Sequence, residues 1–192
     1  MLLPVVCLLF AWDAGRVAVV GKLFPAAWRA MVGTQAAEPA FIAIEKSQKT
    51  LCGPTRSGNA AYCVKDHSIY YDPEFLDHLR QTIGEYAPIV VLAHEWGHAI
   101  FARLPAARAS GYAEERMADC LAGAITRTAI GTGLASKADL DVAEKTLMSV
   151  GEPHGKVPGS HPSWQTRRDA FRSGFQRGAE ACTAVALEKL KQ

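Results

Sequence analysis

The apolar positions of the chain predict mainly helices. Around residues 88–104 they are nearly continuous, from Ile89 to Ala93 and again from Ala99 to Phe101. Pro88 suits a first helical turn and Pro105 follows the expected end, so we predict a largely buried helix over 88–104. Helical spacing also predicts helices over 17–33, with a break near Pro25, over 73–83 and over 112–127.

Two shorter segments have the composition of strands. Residues 41–45 (FIAIE) are rich in β-formers between Pro39 and a polar turn, and residues 64–71 (VKDHSIYY) alternate. Asp72 follows the second segment and suits the N-cap of the helix over 73–83. His67 and His78 are lone histidines of this region, and we interpret both as surface residues.

Length and charge limit the class of protein. A chain of 192 residues is long enough for one domain with a real core, and we expect this domain over 39–192 after an N-terminal extension over 1–38. The net charge is close to +2 and no basic stripe is visible, which makes nucleic acid an unexpected partner.

The first twelve residues, MLLPVVCLLFAW, are strongly apolar. This run is shorter than the roughly 18 to 20 residues that a spanning helix needs. It also lacks the basic start and the clean cleavage site of a signal peptide. A truncated signal, a membrane-associating helix and a helix docked on the core stay open. We favour export or membrane association through residues 1–22, with a cytoplasmic location as the alternative.

Four of the five cysteines can be paired by position. Cys52 and Cys63 bracket a Gly/Pro/Ser-rich loop whose length suits a disulfide. A bridge between Cys120 and Cys182 would tie the helix over 112–127 to the C-terminal helix, and Cys7 would be left over. The alternative is that these four cysteines are reduced and buried.

The buried helix contains HEWGH at 94–98, an H-E-x-x-H sequence. His94 and His98 are four residues apart, so both imidazoles lie on one helix face and can bind one metal ion. Glu95 projects beside that ion, where a carboxylate can take a proton from metal-bound water. Apolar flanks argue against two surface histidines, because buried polar groups need partners.

A catalytic zinc site needs a third protein ligand, and the segment YAEERMADCLAG at 112–123 offers one. Glu115 is the predicted ligand, and Asp119 lies one turn further on the same face, where it can accept a hydrogen bond from a ligand histidine. Glu114 is the alternative ligand, but its neighbour four residues on is Ala118. Solvated acids at a helix N-terminus are the competing interpretation.

These residues resemble the bacterial putative neutral zinc metallopeptidases, a compact gluzincin family that is more distantly similar to HtpX-like and thermolysin-like peptidases. The matching segments run in family order: LCGP at 51–54, YCVKDHSIYYDPEF at 62–75, AHEWGH at 93–98, ERMADCLAG at 115–123 and HPSWQTRRDAFRSGFQRG at 161–178.

The resemblance implies an α+β fold, a predominantly helical zincin-like (minigluzincin) domain with a small antiparallel sheet beside the active-site helix. It implies one zinc ion on His94, His98 and Glu115, with Glu95 as base and Asp119 behind the ligands. His161 and Arg167 match C-terminal positions that donate to the oxyanion or brace the site. Tyr112 is a weaker candidate for the oxyanion donor.

The expected function is hydrolysis of peptide bonds in a peptide or protein substrate by zinc-bound water. Zinc peptidases commonly align the substrate on an edge strand, and residues 67–71 are the candidate for that strand. The alternative is a metal-stabilised binding or assembly protein that keeps the zincin fold without catalysis.

Overall fold

The computed structural model describes residues 19–44, 47–104, 111–150 and 162–187, the last stretch with side chains up to 183. The apolar start with Cys7, His154 and His161 lie outside the described residues. The described part is mainly helical with a small mixed sheet, which confirms the α+β class. After a π-helical turn at Val19–Leu23, the elements are α1 (Phe24–Met31), β1 (Ala40–Ala43), β2 (Lys49–Thr50), β3 (Gly53–Pro54), β4 (Ala60–Cys63), β5 (Ser68–Tyr71), α2 (Pro73–Thr82), α3 (Ala87–Phe101), α4 (Gly111–Gly131), α5 (Ala138–Val150), α6 (Trp164–Arg177) and α7 (Glu180–Leu187).

The main sheet has the strand order β1-β5-β4. Ile69 of β5 lies opposite Tyr62 of antiparallel β4 and opposite Phe41 of parallel β1. The sheet is therefore mixed, and the prediction of an antiparallel sheet holds for only one of its two pairs. Residues 44–67, which contain the antiparallel β2–β3 hairpin and β4, provide the long connection that a parallel pair needs.

The prediction of an edge strand over 67–71 is wrong. Strand β5 is paired on both sides, whereas β4 has a free side. The predicted strand over 64–71 also begins too early, because residues 64–67 form the turn between β4 and β5. Alternating residue types identify a strand, but they do not say which neighbours it will have.

The helices begin and end close to their predicted limits. Asp72 caps α2 as expected, with its side chain accepting hydrogen bonds from the backbone N–H groups of Glu74 and Phe75. Helix α3 is buried along nearly its whole length, as its continuous apolar sequence predicts. Helix α4 runs further at its C-terminal end than the predicted 127, to Gly131.

An aromatic cluster joins the N-terminal helix, the sheet and α3. The Trp96 ring stacks on Phe41 with centroids 5.5 Å apart and contacts Phe24 and Trp28 at 5.4 and 6.0 Å. Phe24 and Trp28 are both fully buried. Residues of the expected N-terminal extension thus contribute to the core that supports α3.

Glycines allow α4 and α6 to pack backbone against backbone. A Cβ added at Gly174 would lie 1.8 Å from the carbonyl oxygen of Cys120, and one at Gly123 would lie 2.0 Å from that of Phe171.

The structure also contains both expected disulfides, Cys52–Cys63 and Cys120–Cys182. The second bridge joins α4 to α7, so α4 is held on two sides.

We expect Gly174→Ala to lower the free energy of unfolding by about 2 kcal/mol or more, because the added methyl group meets backbone that cannot move independently. Urea unfolding followed by circular dichroism measures the change. Gly131→Ala is the matched control, since nothing lies within 4 Å of a Cβ there. Equal effects of the two substitutions would contradict the packing described for Gly174.

Candidate metal centre

Helix α3 brings its two histidines face to face. The Nε2 atoms of His94 and His98 are 3.0 Å apart, and the ring planes are perpendicular. Donor atoms of both rings and of Glu95 lie within 4.8 Å of one another. The spacing of H-E-x-x-H therefore gives the expected convergence on one face of α3.

Helix α4 adds a carboxylate to this pair. The two oxygens of Glu115 lie 3.4 Å from the Nε2 atoms of His94 and His98, one oxygen to each ring. Gly97 makes this approach possible, because a Cβ there would lie 2.6 Å from the Cα atom of Ala118. The small residue inside HEWGH is thus a contact point for α4.

Each histidine is also bound from behind by a carboxylate. Nδ1 of His94 lies 2.8 Å from Oδ1 of Asp119, and Nδ1 of His98 lies 3.1 Å from Oε1 of Glu114. Glu114 is therefore not placed as an alternative to Glu115, but as a partner of the second imidazole. Helical geometry explains the division, because adjacent residues point in directions about 100° apart.

Asp119 is in turn held by a buried arginine from α6. Arg167 donates from Nε to Oδ2 at 2.9 Å and from its terminal nitrogen to Oδ1 at 2.8 Å, a bidentate pair. Burial raises the pKa of Asp119, but Arg167 and His94 outweigh this effect, so the pKa is lowered and the carboxylate stays ionised. The structure places Arg167 behind the metal ligands, as a brace of Asp119.

Burial and neighbouring carboxylates act in opposite directions on the two imidazoles. Burial lowers the pKa of His94 and Asp119 raises it, with a raised pKa as the net result. Burial likewise lowers the pKa of His98, but Glu114 and Glu115 raise it well above the usual value. Without a metal, this pocket therefore favours positive charge at its centre.

Glu95 is oriented by the edge strand. Its Oε2 accepts a hydrogen bond of 2.8 Å from the backbone N–H of Tyr62 in β4. The Tyr62 hydroxyl lies 2.8 Å from Nδ1 of His67, whose Nε2 lies 2.8 Å from the carbonyl oxygen of Ala37. His67 is thus a partly buried residue, outside the candidate metal group, and both of its ring nitrogens are engaged. The backbone of His67 also has a positive φ of 54°, which is unusual for a residue other than glycine and cannot be read from the sequence.

Tyr112 lies at the start of α4 and is 37% exposed. Its hydroxyl is 3.4 Å from the hydroxyl oxygen of Thr166 in α6. It therefore occupies the side of α4 that faces α6.

The donor set fits zinc. A carboxylate can only accept, so each Nδ1 carries the proton and each Nε2 presents a lone pair. Two unprotonated Nε2 atoms 3.0 Å apart repel each other, and either a proton on one of them or a metal ion between them removes the repulsion. The donor separations of 3.0 to 3.4 Å are also close to the roughly 3.3 Å expected between tetrahedral ligands at zinc bond lengths.

The fold and this site define a mainly helical α+β protein with a candidate metal centre of two histidines and neighbouring carboxylates. A family model described as putative neutral zinc metallopeptidase matches residues 18–184, and the chain belongs to this family. The family implies zinc as the metal and peptides as the substrates. No curated protein and no solved structure matches the chain. In the part of the chain that the structure describes, no helix is both long and apolar enough to cross a membrane.

We expect Arg167→Met to destabilise the fold by about 3 to 5 kcal/mol, because it leaves the fully buried carboxylate of Asp119 without its counterion. Urea unfolding measures the loss. Arg168→Met is the control on the next residue, whose ion pair with Asp169 is longer, at 3.7 Å, and more exposed. A loss at Arg167 no larger than at Arg168 would mean that the buried pair contributes little.

Proposed function

We propose that this chain is a zinc-dependent peptidase that hydrolyses peptide bonds through a zinc-bound water. The observation that carries the proposal is the convergence of three donor groups from two helices, His94 and His98 with Glu115, beside the free carboxylate oxygen of Glu95.

His94, His98 and Glu115 are the proposed ligands of one zinc ion. Bound zinc supplies a water of lowered pKa and polarises the scissile carbonyl. Asp119 and Glu114 fix the tautomer of the two imidazoles, so that Nε2 of each is available as a donor. Arg167 is a positioning residue that acts through Asp119.

Glu95 is the proposed general base. Tyr62 holds its Oε2, which leaves Oε1 to accept the proton of the attacking water and to pass it to the leaving amine. The hydrogen bond from a backbone N–H also limits the rotation of this carboxylate. Tyr112 and His161 are the candidates for stabilising the oxyanion.

Strand β4 is the proposed docking edge for the substrate backbone. The bond from Asp72 N–H to the Asn59 carbonyl places Asn59 in a hydrogen-bonded pair with β5. Along an antiparallel pair such positions alternate, so the backbone groups of Ala60 and Tyr62 point to the free side. The Tyr62 N–H is bound to Glu95 there, which leaves the Tyr62 carbonyl and both backbone groups of Ala60 for a peptide. A peptide that pairs there would run past Glu95.

The two disulfides favour an oxidising compartment, since such bridges are rare in reducing cytosol. This agrees with the expected export of the protein. We propose a location outside the cytoplasm.

We expect about one zinc per chain after dialysis, and its loss in His98→Ala and Glu115→Ala. Glu114→Ala should keep the three ligands and weaken zinc binding by about 10- to 100-fold, because only the orientation of His98 suffers. Elemental analysis and a competing chelator measure both effects. Glu74→Ala, an acid in the first turn of α2, is the control. Zinc retained in Glu115→Ala would remove Glu115 from the ligand set.

We expect Glu95→Gln to retain zinc and to lower kcat by about 10² to 10⁴-fold, because glutamine cannot accept the proton. Hydrolysis of a peptide mixture, followed by mass spectrometry with zinc quantified in parallel, measures the change. Wild-type turnover in the variant would contradict the assigned role. Zinc without hydrolysis in the wild type would favour a metal-stabilised binding protein instead.

A further inference from the structure

A second pocket lies on the other face of strand β4. It has a volume of about 260 Å³ and is formed between the main sheet and residues 47–58, which we name the disulfide lobe. The Cys52–Cys63 bridge fastens this lobe to the end of β4. The described ligand residues of the candidate metal centre are not among those that line this pocket.

The pocket and the metal centre share one wall. Residues 59–63 line the pocket, and Tyr62 among them binds Glu95 through its backbone N–H. Ala61 of β4 lies opposite Tyr70 of β5, and both side chains point away from the buried residues Ala60 and Tyr71. A peptide strand added to β4 would direct alternate side chains to this same outer face.

Arg56 gives the pocket its charge. It is exposed, and it makes no hydrogen bond or ion pair among the described residues. The hydroxyl groups of Thr50 and Thr55, by contrast, are committed to carbonyl oxygens inside the lobe, those of Gly53 and Gln48. Among the described lining residues, Arg56 is therefore the charged one whose donors are available to a ligand.

No carboxylate is among the described residues that line the pocket. Two acids lie close to this wall: Asp66 accepts a hydrogen bond from the Tyr70 hydroxyl at 2.9 Å, and Asp72, directly after β5, accepts one from the backbone N–H of Gly58 in the lobe at 2.7 Å. Positions 47–65 contain Lys49, Arg56 and Lys65 and no acidic residue. Residues 47–58 thus carry two basic side chains and no acidic one, and Asp72 binds the backbone of the lobe rather than Arg56.

We propose that this pocket is a specificity subsite that binds an aspartate or glutamate side chain of the substrate at Arg56 while the substrate backbone pairs with β4. The guanidinium group matches a carboxylate in shape and charge. The subsite rests on the proposed peptidase function, because β4 is the docking edge in both. It adds a preference that the metal centre itself does not provide.

The test compares zinc-loaded wild type, Arg56→Gln, Arg56→Glu and Lys145→Gln on peptide sets in which one position at a time is Glu, Gln or Lys. Lys145→Gln removes the same charge from an exposed position on α5 that does not line the pocket. Mass spectrometry of products gives the ratio of kcat/KM for Glu over Gln at each position. Zinc content and circular dichroism establish that the variants are folded and loaded.

We expect wild type and Lys145→Gln to prefer Glu at one position. Arg56→Gln should reduce this preference about threefold to tenfold, and Arg56→Glu should reverse it in favour of Lys. Cleavage without a preferred acidic position would overturn the proposed subsite but not the proposed peptidase function. Equal Glu-over-Gln ratios of kcat/KM in Arg56→Gln and Lys145→Gln would do the same.

Wild type that cleaves no peptide would overturn the proposed function instead. Fluorescence anisotropy of labelled Glu and Gln peptides with the same four proteins then tests the pocket alone. Tighter binding of the Glu peptide that depends on Arg56 supports the carboxylate site, and equal binding overturns it.

Discussion

A single buried negative charge organises the helices of this protein. Asp119 is fully enclosed in α4, and its two oxygens are shared between His94 of α3 and Arg167 of α6. An ionised carboxylate in such surroundings is costly unless each oxygen has a donor. The positions of α3 and α6 relative to α4 are therefore coupled through one side chain. Gly97 of α3 and Gly174 of α6 each allow close backbone contact with α4. Both helices therefore come near enough to α4 for His94 and Arg167 to reach Asp119.

The same arrangement gives four acidic residues three different surroundings. Glu115 faces the convergence point of the imidazoles, whereas Asp119 and Glu114 lie behind them. Glu95 points instead to the sheet, where the backbone of β4 holds it. Adjacent or nearly adjacent residues thus differ in their contacts, because successive side chains of a helix point in different directions. Spacing along the sequence sets this geometry before any tertiary contact forms.

Local spacing also explains which features could be predicted. The face shared by His94 and His98, the approach of Glu115 and Asp119, and the cap of Asp72 all depend on helical repeats or on neighbouring residues. The order of strands, the parallel pairing of β1 with β5 and the edge position of β4 depend on contacts between distant segments. The contact of Glu114 with His98 and the bound state of His67 were missed for the same reason. Neither partner can be inferred from the type of residue alone.

The sequence separations within the Asp119 network also constrain how the chain folds. His94 and Asp119 are 25 positions apart and Arg167 follows 48 positions after Asp119, so the network is assembled from distant segments. A chain in which α3 and α4 have met before α6 docks would have an acid at their interface with His94 as its partner but without its second donor, Arg167. That acid must stay hydrated or take up a proton, and either state opposes tight closure. The Asp119 network is therefore complete only when the C-terminal part of the chain has docked, and the Cys120–Cys182 bridge, one residue from Asp119, then joins that part to α4 covalently.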